Sequence, residues 1–107
     1  MKKFALLSIL FAFVLFTGCK TDTIQVYYDE TKCLDKWGSN ENTPENEKIQ
    51  SIAAYFDDLN IHIYDVEIVN DGTLEGCEAC SCKTGNRVHC KVSKNDLDKI
   101  KLERFYE

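Results

Sequence analysis

Six cysteines hold most of the chemistry that this chain can offer. Cys19 closes an apolar run near the amino terminus, and Cys33 stands alone in a polar stretch. Cys77-Glu78-Ala79-Cys80-Ser81-Cys82 is a dense cluster, and Cys90 sits between Val88 and Val92. Three chemistries fit Cys33, Cys77, Cys80 and Cys82. The first is a disulfide framework, the ordinary use of several cysteines in a small exported domain. A bridge from Cys33 to the cluster would close a loop of about 45 residues, worth ~3–4 kcal/mol by chain entropy. Spacing alone does not choose the connectivity. The second is a thiolate metal centre for zinc or Cu(I), with Cys77 and Cys80 gripping one ion and Cys82 and Cys33 completing a four-sulfur shell. His89 adds little there, because consecutive strand residues point to opposite faces and His89 cannot join Cys90 on one ion. The third is thiol–disulfide exchange through Cys77 and Cys80. That chemistry favours a thiolate at a helix amino terminus, whereas turn-like Ser81–Asn86 follows and Glu78 opposes the charge. Cys90, on one face with Val88 and Val92, reads as a buried, unpaired thiol.

The elements that must position these residues follow from apolar periodicity. Thr23–Tyr28 is β-branched and aromatic, a first strand. Asp29–Pro44 has the Gly, Ser, Asn and Pro content of a loop. Thr43-Pro44-Glu45 predicts a helix start, with a capping hydroxyl and Pro in the first helical position. Ile49, Ile52, Ala53, Phe56 and Leu59 then form one stripe up to Asn60. Ile61–Val69 predicts a second strand, Asn70-Asp71-Gly72 a turn, and Thr73–Asn86 a cysteine-rich hairpin end. Arg87–Val92 predicts a third strand, and Ser93–Asp96 opens a short helix through Leu97 and Ile100 towards Phe105. The order β-α-β-β-α implies an α+β domain: a small sheet, both helices on one face, stapled by cysteines.

Residues 1–18 read as an address rather than as fold. Lys2 and Lys3 precede an apolar run from Phe4 to Phe16, too short for the ~20 residues of a spanning helix and suited to a secretory signal. Phe16-Thr17-Gly18-Cys19 then looks like a bacterial lipobox, which predicts cleavage before Cys19 and acylation of that residue. Several acyl chains make a firm anchor, so the expected partner is a membrane reached through the lipid. Residues 19–23 are the lipidated Cys and a short tether, and residues 24–107 are the domain. Lys20 after the acylated Cys resembles outer-membrane sorting, which places the domain at the periplasmic face or the cell surface.

Composition narrows the function further. The 107 residues carry 18 acidic and 13 basic side chains, a formal charge of −5. Removing residues 1–18 takes Lys2 and Lys3 and leaves 11 basic against 18 acidic, a charge of −7. That balance opposes nucleic-acid binding, which needs clustered Lys and Arg. No phosphate loop, dinucleotide fingerprint or nucleophile elbow occurs, and no Ser or Cys comes with a base and an orienting acid. Asp29, Glu30 and Asp35 lack calcium-loop spacing, Asp57-Asp58 reads as a solvated helix end, and His62 reads as a core-edge residue. Trp37 is expected to pack over a disulfide or the sheet edge, with contact to a ligand or partner as its other use. A binding module would present an exposed aromatic patch around Tyr27, Tyr28 and Trp37.

The segments Cys33-Leu34-Asp35-Lys36-Trp37-Gly38 and Gly76-Cys77-Glu78-Ala79-Cys80-Ser81-Cys82-Lys83-Thr84-Gly85 together resemble a group of small Bacteroidota lipoproteins. These share a Cys-x-Asp-Pro-Trp-like segment and a Cys-x-Ala-Cys-x-Cys cluster. This chain departs at Lys36, where that group has Pro, and at Cys90, where an apolar residue is expected. The resemblance implies an envelope lipoprotein, groups Cys33, Cys77, Cys80 and Cys82 as one functional set, and implies no activity. The expected role is a lipid-anchored, disulfide-stabilised binding domain with an envelope protein as partner and no cofactor. The rivals are a zinc or Cu(I) thiolate protein and a thiol–disulfide oxidoreductase.

Overall fold

The computed structural model describes residues 22–107; the expected signal peptide, Cys19 and most of the tether lie outside the described residues. Strand β1 (Thr23–Thr31) is followed by helix α1 (Glu45–Asp58), strands β2 (Ile63–Val69) and β3 (Lys83–Ser93), a 3₁₀ turn (Lys94–Asp96) and helix α2 (Leu97–Lys101). The sheet is antiparallel with β3 in the centre, in the order β1-β3-β2. The domain is thus the expected α+β arrangement.

Period-2 alternation decides which side of the sheet is covered. Val26 and Tyr28 of β1 and Val88, Cys90 and Val92 of β3 face the helices and are buried with Ile52 and Phe56 of α1, Ile100 of α2 and Phe105. Burying a large apolar side chain stabilises by about 1.5–3 kcal/mol, so this cluster is the chief apolar source of stability. On the other face Tyr27 registers with His89 and Asp29 with Arg87. Tyr27 and Tyr28 therefore cannot share a patch: Tyr28 is buried, and no exposed group of Tyr27, Tyr28 and Trp37 exists.

Strands β1 and β3 both run further than apolar periodicity predicts at the end where β1 finishes and β3 begins. Asp29–Thr31 and Lys83–Asn86 are strand, with Thr31 paired to Lys83 beyond a register shift. Their side chains are polar, and hydrogen bonds rather than apolar burial hold them. Glu30, buried, accepts from Lys48 Nζ at 2.9 Å, Thr84 Oγ1 at 2.9 Å and Asn86 Nδ2 at 3.2 Å. At the other end β2 begins at Ile63; Ile61 is buried before it, while His62 between them is exposed, its ring 4.4 Å from that of Tyr64.

The helix starts one residue later than the capping pattern implies. Pro44 is the cap itself, with extended ψ, and its carbonyl accepts from Lys48 N. The Thr43 hydroxyl turns back to accept from Asn40 N at 3.1 Å. The inward face is also rotated. Lys48, Ile52 and Phe56 are buried, whereas Ala53 and Leu59 are exposed, because the ion pair to Glu30 draws Lys48 inward.

Candidate functional site

The four cysteines of the expected set come together where β1 ends. Beyond Thr31 the chain keeps pairing: Lys32 N donates to Cys82 O at 3.0 Å and Cys33 N to Cys80 O at 3.2 Å. Cys33 and Cys80 are bridged across Cα atoms 4.6 Å apart, and Cys77 and Cys82 across 6.0 Å. The two members of the Cys-x-x-Cys spacing thus have different partners, and strand β3 rather than a helix follows them. Among the described residues, no group of three or more His, Cys, Asp or Glu side chains is placed to hold a metal ion. Cys90 is unpaired and wholly buried, and burial pushes its thiol up to about 12.

The bridges fix the loop that carries Asp35 and Trp37. Asp35 Oδ1 accepts from the Tyr28 hydroxyl at 2.7 Å, the Thr31 hydroxyl at 2.8 Å and Thr31 N at 3.1 Å, while Oδ2 has no partner among the described residues. Burial raises the Asp35 carboxyl above the usual range, and the hydrogen bonds from Tyr28 and Thr31 pull it back only in part. The Tyr28 hydroxyl is raised as well, by burial first and then by its bond to Asp35. Trp37 is half-buried at the sheet edge, its ring 4.7 Å from that of Tyr28 and 6.2–6.3 Å from Tyr55, Phe56 and Phe105. It packs against the buried apolar cluster.

Two adjoining grooves open beside this loop, and Tyr28 and Arg104 line both. One, of about 230 Å³, continues over Leu34, Lys36 and Glu103. The other, of about 260 Å³, continues over Asp29, Thr31, Ser81, Lys83 and Tyr106. Their outer wall is the carboxyl-terminal segment, held to β1 by reciprocal bonds between Tyr27 and Tyr106 at 2.7 and 2.9 Å. Most charges here are answered. Lys36 Nζ lies 2.7 Å from Glu103 Oε2, which also accepts from Tyr55; the Lys36 bond outweighs burial and lowers the Glu103 carboxyl. Burial alone would raise the Asp29 carboxyl, but hydrogen bonds from Tyr106, Arg87 and Lys83 outweigh it and hold the group low. Arg104 differs: it is exposed and takes part in no ion pair or side-chain hydrogen bond among the described residues.

On the open sheet face, His89 Nε2 lies 2.9 Å from Asp71 Oδ2, out of line for a hydrogen bond, and the Tyr27 ring meets His89 edge-on at 4.9 Å. Asp29, Glu30 and Asp35 each turn to different donors and form no shared cation cage. Sequence reasoning missed the grooves, Arg104 above all. They are assembled from β1, two loops and the chain end, and no local motif spans those segments. No family model matches the chain, and no curated protein or solved structure matches it.

Proposed function

We propose that this chain is a lipid-anchored envelope protein whose disulfide-stapled domain is a binding module, with the paired grooves around Tyr28 and Arg104 as its recognition surface. The observation that carries the reading is the pairing of Cys33 with Cys80 and Cys77 with Cys82, while Cys90 stays in the core. Two bridges in a small domain belong to an oxidising compartment, which agrees with a signal peptide and with acylation of Cys19.

The direction of β1 supports it. Asp22, three residues after Cys19, enters the sheet beside Lys94, its carbonyl accepting from Lys94 N at 3.1 Å. The bridges lie past the far end of β1, and the grooves run along it from Tyr28 to Thr31, five to eight residue steps and about 17–27 Å from Thr23 along an extended strand. On this reading a bilayer anchor at Cys19 attaches at the end of β1 opposite the bridges, which leaves the grooves open to an envelope protein partner.

Intact mass of the full chain purified from a bacterial envelope tests this, with thiol alkylation before and after denaturation. The expected species begins at an acylated Cys19, is lighter by about four mass units than its reduced form, and alkylates once, only after denaturation. An unprocessed amino terminus overturns the anchor. Four protected thiols with a stoichiometric zinc or copper adduct, lost on acidification, overturn the stapled binding module in favour of metal handling.

A further inference from the structure

The two helices end in the same way, and the comparison isolates Arg104. After α1, Asn60 N donates to Asp57 O and Ile61 N to Phe56 O. After α2, Arg104 N donates to Lys101 O and Phe105 N to Ile100 O. Both are the paired terminal bonds that place the residue just past the helix in a left-handed conformation, with φ of 57° at Asn60 and 68° at Arg104. Gly is the usual occupant and Asn the usual substitute. Arg gains nothing there: its Cβ is strained, and its side chain returns no hydrogen bond to the turn. Departures from a local rule are expected where function demands them.

Arg104 lines both grooves and has no ion-pair partner among the described residues. Around it, Lys36 is matched by Glu103, and Lys83 is shared with Arg87 on Asp29. The carboxylates that line the grooves, Asp29 and Glu103, are the ones these cations already hold, and Asp35, bonded to the Tyr28 hydroxyl, is not in the lining. One planar guanidinium with one unanswered charge suits a single carboxylate, which it can grip through two parallel hydrogen bonds. Ser81 and Thr31 flank one side, the Thr31 hydroxyl being committed to Asp35 Oδ1 and Leu34 N. On the other side Leu34, 57% exposed, and the Tyr28 ring offer an apolar floor. A carboxylate next to an apolar side chain is the chemistry of a polypeptide's last residue.

We propose that the paired grooves capture the carboxyl terminus of a partner polypeptide, with Arg104 holding the terminal carboxylate and the Leu34–Tyr28 side taking an apolar final side chain. This deepens the binding-module reading and rests on it. The single Trp provides the readout, because Trp37 contacts Tyr28, which lines both grooves.

Acetyl-Ala-Ala-Leu with a free carboxyl terminus is titrated into the processed full chain in detergent, followed by Trp fluorescence, with the same peptide as its carboxamide, acetate and inorganic phosphate as the other arms. The free acid should bind, and the amide about ten- to hundred-fold more weakly, the range of a charge-assisted bidentate contact. Arg104→Gly should lose the same factor while its melting temperature does not fall, because Gly suits the turn. Equal binding of acid and amide, no binding of either, acetate or phosphate competing as well as the peptide, or a fall in melting temperature for Arg104→Gly would each overturn the inference. Bridge content is read by mass on the same preparation. Intact bridges without acid preference sink this inference alone, whereas free thiols holding a metal sink the binding module beneath it.

Discussion

Removing the two bridges separately should destabilise the domain unequally, and the difference follows from where they fall in the chain. Cys33–Cys80 spans 47 residues of sequence and Cys77–Cys82 spans 5. By chain entropy the first restricts the unfolded state by about 4 kcal/mol and the second by about 2 kcal/mol. A domain of this length is stable by about 4–13 kcal/mol, so the long-range bridge is a large share of the total. With each kcal/mol worth about 4–8 °C in a domain of 60–100 residues, Cys33→Ala/Cys80→Ala should melt about 16–32 °C lower and Cys77→Ala/Cys82→Ala about 8–16 °C lower. Circular dichroism melts of the oxidised protein and both double variants measure this. Cys82 is the buried member of the four, and truncating it adds a packing loss that works against the predicted order. Equal losses, or a larger loss from the short-range pair, would refute the loop-length reasoning and show that the short bridge braces the folded state itself.

Lys48→Ala should cost about 3–5 kcal/mol in urea unfolding, because it strands the buried Glu30 carboxylate; a cost under 1 kcal/mol would mean that water reaches Glu30. Cys90 should resist iodoacetamide in the native protein at pH 8 and react once in denaturant, since burial holds its thiol near 12 and away from reagent. Rapid native alkylation would contradict its place in the core. The Asp29 carboxyl is lower when folded than unfolded, so its contribution is present above the usual carboxylate range and is lost as pH falls through the depressed value. Asp35 acts oppositely: its raised carboxyl costs stability at neutral pH, and that cost disappears on acidification. Asp29→Asn should therefore flatten the acid limb of the stability curve and Asp35→Asn should steepen it, as read by melting temperature from pH 7 to pH 3. Parallel shifts in the two variants would show that neither group carries the linkage.

Element types were legible wherever burial dictates periodicity. Val88, Cys90 and Val92 alternate because that face of β3 packs on α1, and the same alternation marks Cys90 as unpaired. Legibility ends where polar groups do the holding. Asp29–Thr31 and Lys83–Asn86 read as loop because Glu30, Thr84 and Asn86 satisfy one another inside the protein, an arrangement that no apolar pattern announces. The helix stripe was misread for a related reason: the Lys48 ammonium goes inward to Glu30, and Ala53 is left in solvent. The cysteine set was readable as a group, its connectivity was not, and nothing in the sequence announces the left-handed backbone at Arg104.

The far end of the sheet shows why covalent staples sit where they do. Between Thr73 and Ser81 the larger apolar side chain is Leu74, and it is 69% exposed. Such a segment gains almost nothing from burial, so it cannot hold a fixed shape by the means that hold α1 on β3. The backbone bonds of Lys32, Cys33 and Glu75 to this segment and to Lys83 set its register, and the bridges prevent that register from being lost at little apolar gain. The same device fixes the Asp35–Trp37 loop on one wall of the grooves, while the Tyr27–Tyr106 pairing fixes the other. A protein needing only a stable sheet could omit these residues without losing any of the buried apolar cluster. Two crosslinks on these residues, at the end remote from the proposed anchor, would hold the proposed recognition surface in shape for a partner.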